Sequence, residues 1–424
     1  MLVNVGKLMS HTSTKGGGGV KHPFNPSLVD AWFMSGLSNV DKPSSIRGVK
    51  GNEMQLKNFV FTSESGFGEG NYEGALVFDG VDDYGICNNL PILNDYTVIC
   101  RRVLENNTKN VVASKSVAAG NGAFIFEYGN NATYSFSEYT SMGQNINLKD
   151  SVSYQTKNSY NGSTITVGNA DDTDTLTLGI IREGDSRLLK GAIYYFALYN
   201  KSLTPEEIET EKERLNEEWL KRSKVTIPEP DVYYDLSLKD NSSPTRNIID
   251  DLSGNGHDAE IFNAAYTESS GYRSDGAFVF DGVDDYAIMQ NVEKGFKTLF
   301  MEVIPSLTTD RSGFLYDQRV GQTSFGINTS LNHIAYNAYN WGGVTYINRK
   351  LNTTMNGKEV YLKHQIITIV NGTDLKPQKV VLGGDIGLFG YFSNMALYKL
   401  IGFYDELTPL QIEKVINDYK LKYN

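Results

Sequence analysis

Cysteine is nearly absent. The 424 residues hold 2 of them, so no disulfide framework can carry the fold and the core must come from packed side chains. Cationic side chains are also short, 39 Lys and Arg against 50 Asp and Glu, and a formal net charge of -11 repels a phosphate backbone, so nucleic acid is not an expected partner. No apolar run approaches the ~20 residues that span a bilayer, and Met1 to Ser10 has neither a basic start nor a long apolar centre. Neither membrane insertion nor a secretion signal is therefore expected. The histidines, His11, His22, His257, His333 and His364, show no metal-ligand spacing and no nucleophile motif beside them. Four glycines, Gly16 to Gly19, precede Val20-Lys21-His22-Pro23 rather than Gly-Lys-Ser/Thr, which excludes a phosphate loop.

What is present is aromatic and glycine-rich. Tyr 26, Phe 20 and Gly 41 are the composition of strands and tight turns, and the expected class is all-β. The length exceeds one ordinary domain and suits two units of about 190 residues, each large enough to bury its own sandwich core.

Gly74-Ala-Leu-Val-Phe-Asp-Gly-Val-Asp-Asp-Tyr84 returns almost unchanged as Gly276-Ala-Phe-Val-Phe-Asp-Gly-Val-Asp-Asp-Tyr286, a shift of 202 residues. Upstream, Asp30-Ala-Trp-Phe33 faces Asp231-Val-Tyr-Tyr234. Downstream, at a shift of 204, Leu178-Gly179 faces Leu382-Gly383 and Leu203-Thr-Pro205 faces Leu407-Thr-Pro409. The reading is a tandem repeat with an arm at 1-26, a first domain at 27-222, a linker at 223-231 and a second domain at 232-424. In each copy the motif reads as a hairpin, with Ala75 to Phe78 and Asp83 to Cys87 as strands around the turn Asp79 to Asp82, because Asp and Gly tolerate turn angles.

Each copy also ends in a helix signal. Thr204, Pro205 and Glu207 form a capping box, and Ile208, Leu215 and Trp219 share a stripe, while Glu206, Glu209, Glu211, Glu213, Glu217 and Glu218 are expected in solvent. The second copy keeps the box as Thr408 and Gln411, with Ile412, Ile416 and Tyr419 as its stripe. Cys87 and Cys100 correspond to Met289 and Met301, which favours two buried reduced thiols over a disulfide.

The order of an aromatic strand, a Ser253-Gly-Asn-Gly-His257 turn, the Phe-Asp-Gly-Val-Asp-Asp-Tyr motif, and a closing strand followed by Leu-Thr-Pro and a helix resembles the laminin G-like branch of the concanavalin A-like jelly rolls. The resemblance covers about nine-tenths of the chain and implies a fold more firmly than a ligand. It implies two jelly-roll sandwiches, each closed by a helix. Because jelly rolls of this class include glycoside hydrolases, a Glu-x-Asp-x-x-Glu strand would be the mark of catalysis. Only Glu229-Pro-Asp-Val-Tyr-Tyr-Asp235 comes near, and Pro230 disrupts its ladder, so no enzyme activity is expected.

Two candidate sites remain. Asp79 and Asp82 in the first motif, with Asp281 and Asp284 in the second, are candidate calcium ligands, since a hard cation takes several oxygens from adjacent turns; the same residues are also what the turn itself demands. Tyr336, Tyr339, Asn340 and Trp341 are candidate glycan contacts, where rings would stack on sugar faces beside an amide. The expected role is a non-enzymatic structural or adhesion protein of a bacteriophage virion, a head or tail-fibre component. Its expected partners are other virion proteins through the arm, host surface glycans and further copies of the chain. The alternative is a secreted or cell-surface bacterial lectin.

Overall fold

The longest unbroken run of buried residues among those described, Gly191 to Tyr199, lies in the strand Lys190–Tyr199, and this strand organises the first half of the chain. A run apolar on both faces needs cover on both sides. One face of the strand meets the sandwich core and the other meets a helix. The computed structural model describes residues 24–105, 110–118, 121–129, 131–136, 138–142, 146–306, 313–318, 326–329, 344–348, 350–351, 363–370, 376, 379–384 and 392–423. The chain divides into two compact units, Met1–Arg222 and Ser223–Asn424. The architecture is mostly β, with four sheets and two α-helices among the described residues. No helix among them is long and apolar enough to cross a membrane.

In the first unit a front sheet of eight strands centres on Lys190–Tyr199, flanked by Thr97–Leu104 and Leu76–Asp79. A back sheet of eight strands runs from Glu138–Ser141 at one edge to Ser45–Arg47 at the other. Phe78, Ile193 and Phe196 from the front meet Phe124, Phe126 and Leu176 from the back in one core. The second unit repeats the arrangement around Asn394–Phe403, with an eight-stranded front sheet and six strands at the back. Its core contains Phe280, Met301 and Leu397 with Ala287, Leu315 and Leu382.

The Asp-Gly motif is not a hairpin. Leu76–Asp79 pairs with Lys190–Tyr199 in the front sheet, whereas Tyr84–Cys87 pairs with Glu53–Lys57 and Leu176–Leu178 in the back sheet. The turn therefore arches from one layer to the other, and the second copy does the same between Phe278–Asp281 and Tyr286–Met289. An Asp-Gly turn reverses the chain, but it does not decide whether the two arms bond each other or separate neighbours.

Helix α1 spans Pro205–Ser223 and α2 spans Pro409–Asp418. Both start at the expected box. Thr204 Oγ1 accepts from Glu207 N and Glu207 Oε2 accepts from Thr204 N at 2.8 Å, and Thr408 and Gln411 make the same exchange. Ile208, Leu215 and Trp219 are buried as the stripe requires. Glu211 departs from its expected place in solvent. It is 2% exposed, because Tyr199 Oη donates to it at 2.9 Å, Asn25 N donates at 3.2 Å and Arg214 pairs with it. Before α2, the linker packs on its own unit, with Gln411 Nε2 donating to Thr226 O at 3.0 Å. Cys87 and Cys100 are both buried free thiols.

Candidate functional site

The two arches place three carboxylates each at one point. Asp79 Oδ1 accepts from Val81 N at 2.7 Å, which closes the turn on itself. Asp83 turns inward and is 1% exposed, with Oδ2 accepting from Asp79 N at 3.1 Å and Oδ1 accepting from Ser65 Oγ at 2.9 Å. Asp82 stays exposed. In the second arch Asp281 Oδ1 accepts from Val283 N at 2.8 Å and Asp285 Oδ2 accepts from Asp281 N at 3.0 Å. One ligand oxygen from each of Asp79, Asp82 and Asp83, and likewise from Asp281, Asp284 and Asp285, lies within 4.8 Å of the others.

Burial and the neighbouring acids oppose charge at the inner position. Burial pushes the Asp83 carboxyl up to about 6, against the two hydrogen bonds that favour its ionised form, and burial raises Asp285 in the same direction. Each arch can thus hold a proton on its inner acid or offer its oxygens to a cation. The four candidate ligands Asp79, Asp82, Asp281 and Asp284 are brought together as pairs, one pair in each arch, and Asp83 and Asp285 join them. The inner acids were legible as members of the motif but not as the buried ones, since that depends on Ser65, 18 residues upstream.

Tyr336, Tyr339, Asn340 and Trp341 lie outside the described residues. In chain order they follow the strand Gly326–Thr329, just as Tyr134 and Tyr139 follow the strand Asn121–Tyr128 in the first unit. There the structure shows an aromatic row. Thr133 and Ser135 reach across the sandwich, to Gln155 and to Lys157 O respectively, so alternation sends Tyr134 to the outer face of the back sheet. Tyr139 stands directly opposite Tyr134 on the edge strand Glu138–Ser141, and Ile125 is opposite on the other side. Tyr128 and Tyr134 meet edge to face at 5.6 Å, and Tyr134 and Tyr139 do so at 5.3 Å. The Arg187 guanidinium lies 5.7 Å from the Tyr128 ring and is held by Asp185 through Nε at 2.7 Å and Nη2 at 2.5 Å.

The second unit carries a different set. Phe262 and Tyr286 stack at 4.9 Å and 14°, and Phe392 continues the stack at 6.1 Å and 28°. Parallel rings cover one another's faces, whereas the perpendicular tyrosines cannot cover all of theirs. Phe136 is buried and Tyr134 faces out.

The two described histidines, His257 and His364, and the acids of the near-match to a catalytic strand are tied into the fold by hydrogen bonds. His257 N donates to Asp251 Oδ2 at 3.0 Å and its Nε2 meets Tyr404 Oη at 3.0 Å, while His364 Nε2 meets Glu302 Oε1 at 2.8 Å and stacks on Tyr398. Asp231 accepts from Tyr404 N at 2.6 Å, and Asp235 accepts from Ser237 N at 3.2 Å.

No protein-family model matches the chain, and no curated protein matches it. Among solved structures, the chain is similar to a Trypanosoma rangeli sialidase mutant displaying trans-sialidase activity, at 14% identity and a TM-score of 0.30, covering 46% of this chain and 33% of that one. It thus spans about a third of the sialidase's length. It is similar to domain 4 of AbnA, an extracellular arabinanase from Geobacillus stearothermophilus in complex with arabinotriose, at 14% identity and a TM-score of 0.28, covering 43% of this chain and 97% of that one. It is also similar to the botulinum neurotoxin serotype D binding domain, at 13% identity and a TM-score of 0.34, covering 91% of this chain and 98% of that one.

Proposed function

We propose that the chain is a non-enzymatic structural and adhesion protein of a bacteriophage particle, a head or tail-fibre component built from two laminin G-like jelly rolls that contact host glycans. The supporting observation is how the buried charges are used. Arg102 pairs with Glu127 and Lys115 with Asp172, all four side chains fully buried, and Asp30 accepts from Ala31, Lys50 and Asn52. These groups brace strands and loops against one another. A hydrolase needs the reverse, carboxyls poised on an accessible face for proton transfer or attack. Segment 1-26 docks the chain into the particle in this reading, and further copies assemble beside it.

Mass spectrometry of purified particles tests the reading. The chain should be present at a fixed ratio to the capsid protein, and deletion of residues 1-20 should abolish incorporation. Recovery of the chain only from culture medium or the cell envelope, with none in particles, would replace this reading by a secreted or surface lectin.

A further inference from the structure

We propose that the outer face of the first unit's back sheet, the row of Tyr128, Tyr134 and Tyr139 with Ile125 and the Arg187–Asp185 pair, is a binding site for an uncharged glycan. The inference rests on the adhesion reading above and names its site and ligand class.

Three features carry it. The first is exposure. Tyr139 is 50% exposed on the edge strand, and Tyr128, Tyr134 and Ile125 are half-buried although Phe124, Phe126, Glu127, Thr133 and Ser135 beside them in their strands are buried. Tyrosine combines an apolar ring with a polar tip, and a sugar presents the complementary surface, with C–H groups on its faces and hydroxyls at its edges. The second is ring orientation. Interplanar angles of 81° and 67° turn successive rings in different directions, so faces remain open along the row and an extended chain of sugar rings can contact more than one of them. The stacked Phe262, Tyr286 and Phe392 of the second unit lack both the open faces and the full set of hydroxyls.

The third feature is charge, and it selects the ligand. Arg187 would attract an acidic sugar if it were free. It is instead held bidentately by Asp185, whose carboxyl its hydrogen bond keeps below the usual carboxylate range. The Asp185 side chain is 5% exposed and also meets Arg182 Nη2 at 3.7 Å, whereas the Arg187 side chain, 35% exposed, still has N–H groups to donate to hydroxyls. With a net charge of -11 on the chain, a polyanionic glycan is repelled at long range, while an uncharged one is not. Placement fits as well. The row ends on Glu138–Ser141, which among the described residues pairs with Ala132–Ser135 and with no further strand.

The test uses the full chain. Binding is measured by calorimetric titration with uncharged oligosaccharides (cello-, malto-, xylo- and manno-hexaose) and, as the anionic arm, with oligogalacturonate and a heparin hexasaccharide. At least one uncharged probe should bind, and the anionic probes should not. Tyr139→Ala and Tyr134→Ala should each weaken that binding by about tenfold or more, with melting temperature unchanged for the exposed Tyr139→Ala. Uncharged binding that survives both substitutions overturns the site while leaving the adhesion reading in place. Preferential binding of an anionic probe that depends on Tyr139 overturns the ligand class. Failure of every probe to bind the intact chain overturns the site and the glycan reading together.

Discussion

Removing Arg102 should unfold the first unit at a much lower temperature and leave the second unit untouched. Arg102 stands on Thr97–Leu104 in the front sheet and Glu127 on Asn121–Tyr128 in the back sheet, and both side chains are 0% exposed. Nε and Nη2 reach the two carboxylate oxygens at 2.5 and 2.6 Å, while Ser151 Oγ, Ser153 Oγ and Lys149 O accept from the remaining N–H groups at 2.6, 3.0 and 3.3 Å. In Arg102→Met, Glu127 keeps only the Tyr160 hydroxyl, at 2.7 Å. Stranding one partner of a buried pair costs roughly 3–5 kcal/mol. For a unit of this size each kcal/mol moves the melting temperature by about 2–4 °C, so the fall should be roughly 6–20 °C. The second unit supplies the control. By register its residue at this place is Val303, fully buried in an apolar core, so the sandwich does not need the ion pair as such. The double variant Arg102→Met/Glu127→Gln should accordingly recover at least about 2 kcal/mol of the loss, because the stranded charge is gone. Scanning calorimetry of the full chain reads the effect, and hydrogen exchange in Thr97–Leu104 assigns it to the first unit. A fall of less than about 1 kcal/mol in the single variant, or a double variant no more stable than the single, would refute the reasoning.

Three further outcomes are expected. Gly282 has φ +77°, and a Cβ there would sit 2.9 Å from both Asn394 N and Asn394 Cβ, so Gly282→Val should cost roughly 2–4 kcal/mol in urea unfolding; a variant within about 0.5 kcal/mol of wild type would show that the arch tolerates another path. The Asp83 carboxyl, raised to about 6, contributes stability that is fully present below the unfolded value near 4 and lost as pH rises through 6, so the wild-type melting temperature should fall between pH 5 and 7 more than that of Asp83→Asn/Asp285→Asn, and parallel curves would contradict this. Since each arch is already closed by its own backbone N–H groups, Asp284→Asn should be mild and calcium should leave the melting temperature unchanged; a calcium-dependent rise lost in Asp284→Asn would instead assign the cation to the arch.

The class and the helix ends were legible because they depend on local chemistry: aromatic runs bounded by glycine, and Thr-Pro with Glu or Gln three residues after the Thr. Correspondences such as Leu178 with Leu382 are matched in the pairing, where the two residues face Gly85 and Ala287. The arch was misread because turn residues specify a reversal, and only the distant partners Lys190–Tyr199 and Glu53–Lys57 determine that its arms enter different sheets. Glu211 was readable and missed. It stands three residues after Ile208 and four before Leu215, on the apolar stripe itself, and the acidic run around it hid the position. The tyrosine row was not readable, since the side of the sheet that Tyr134 faces depends on what Thr133 and Ser135 contact across the sandwich.

The most direct test of the glycan-adhesion account is incubation of the full chain with host surface polysaccharide, reading retention and polymer length together. The account predicts saturable binding with the length distribution unchanged over many hours. Shortened polymer would contradict the non-enzymatic reading, and absence of any retention would contradict adhesion through glycans.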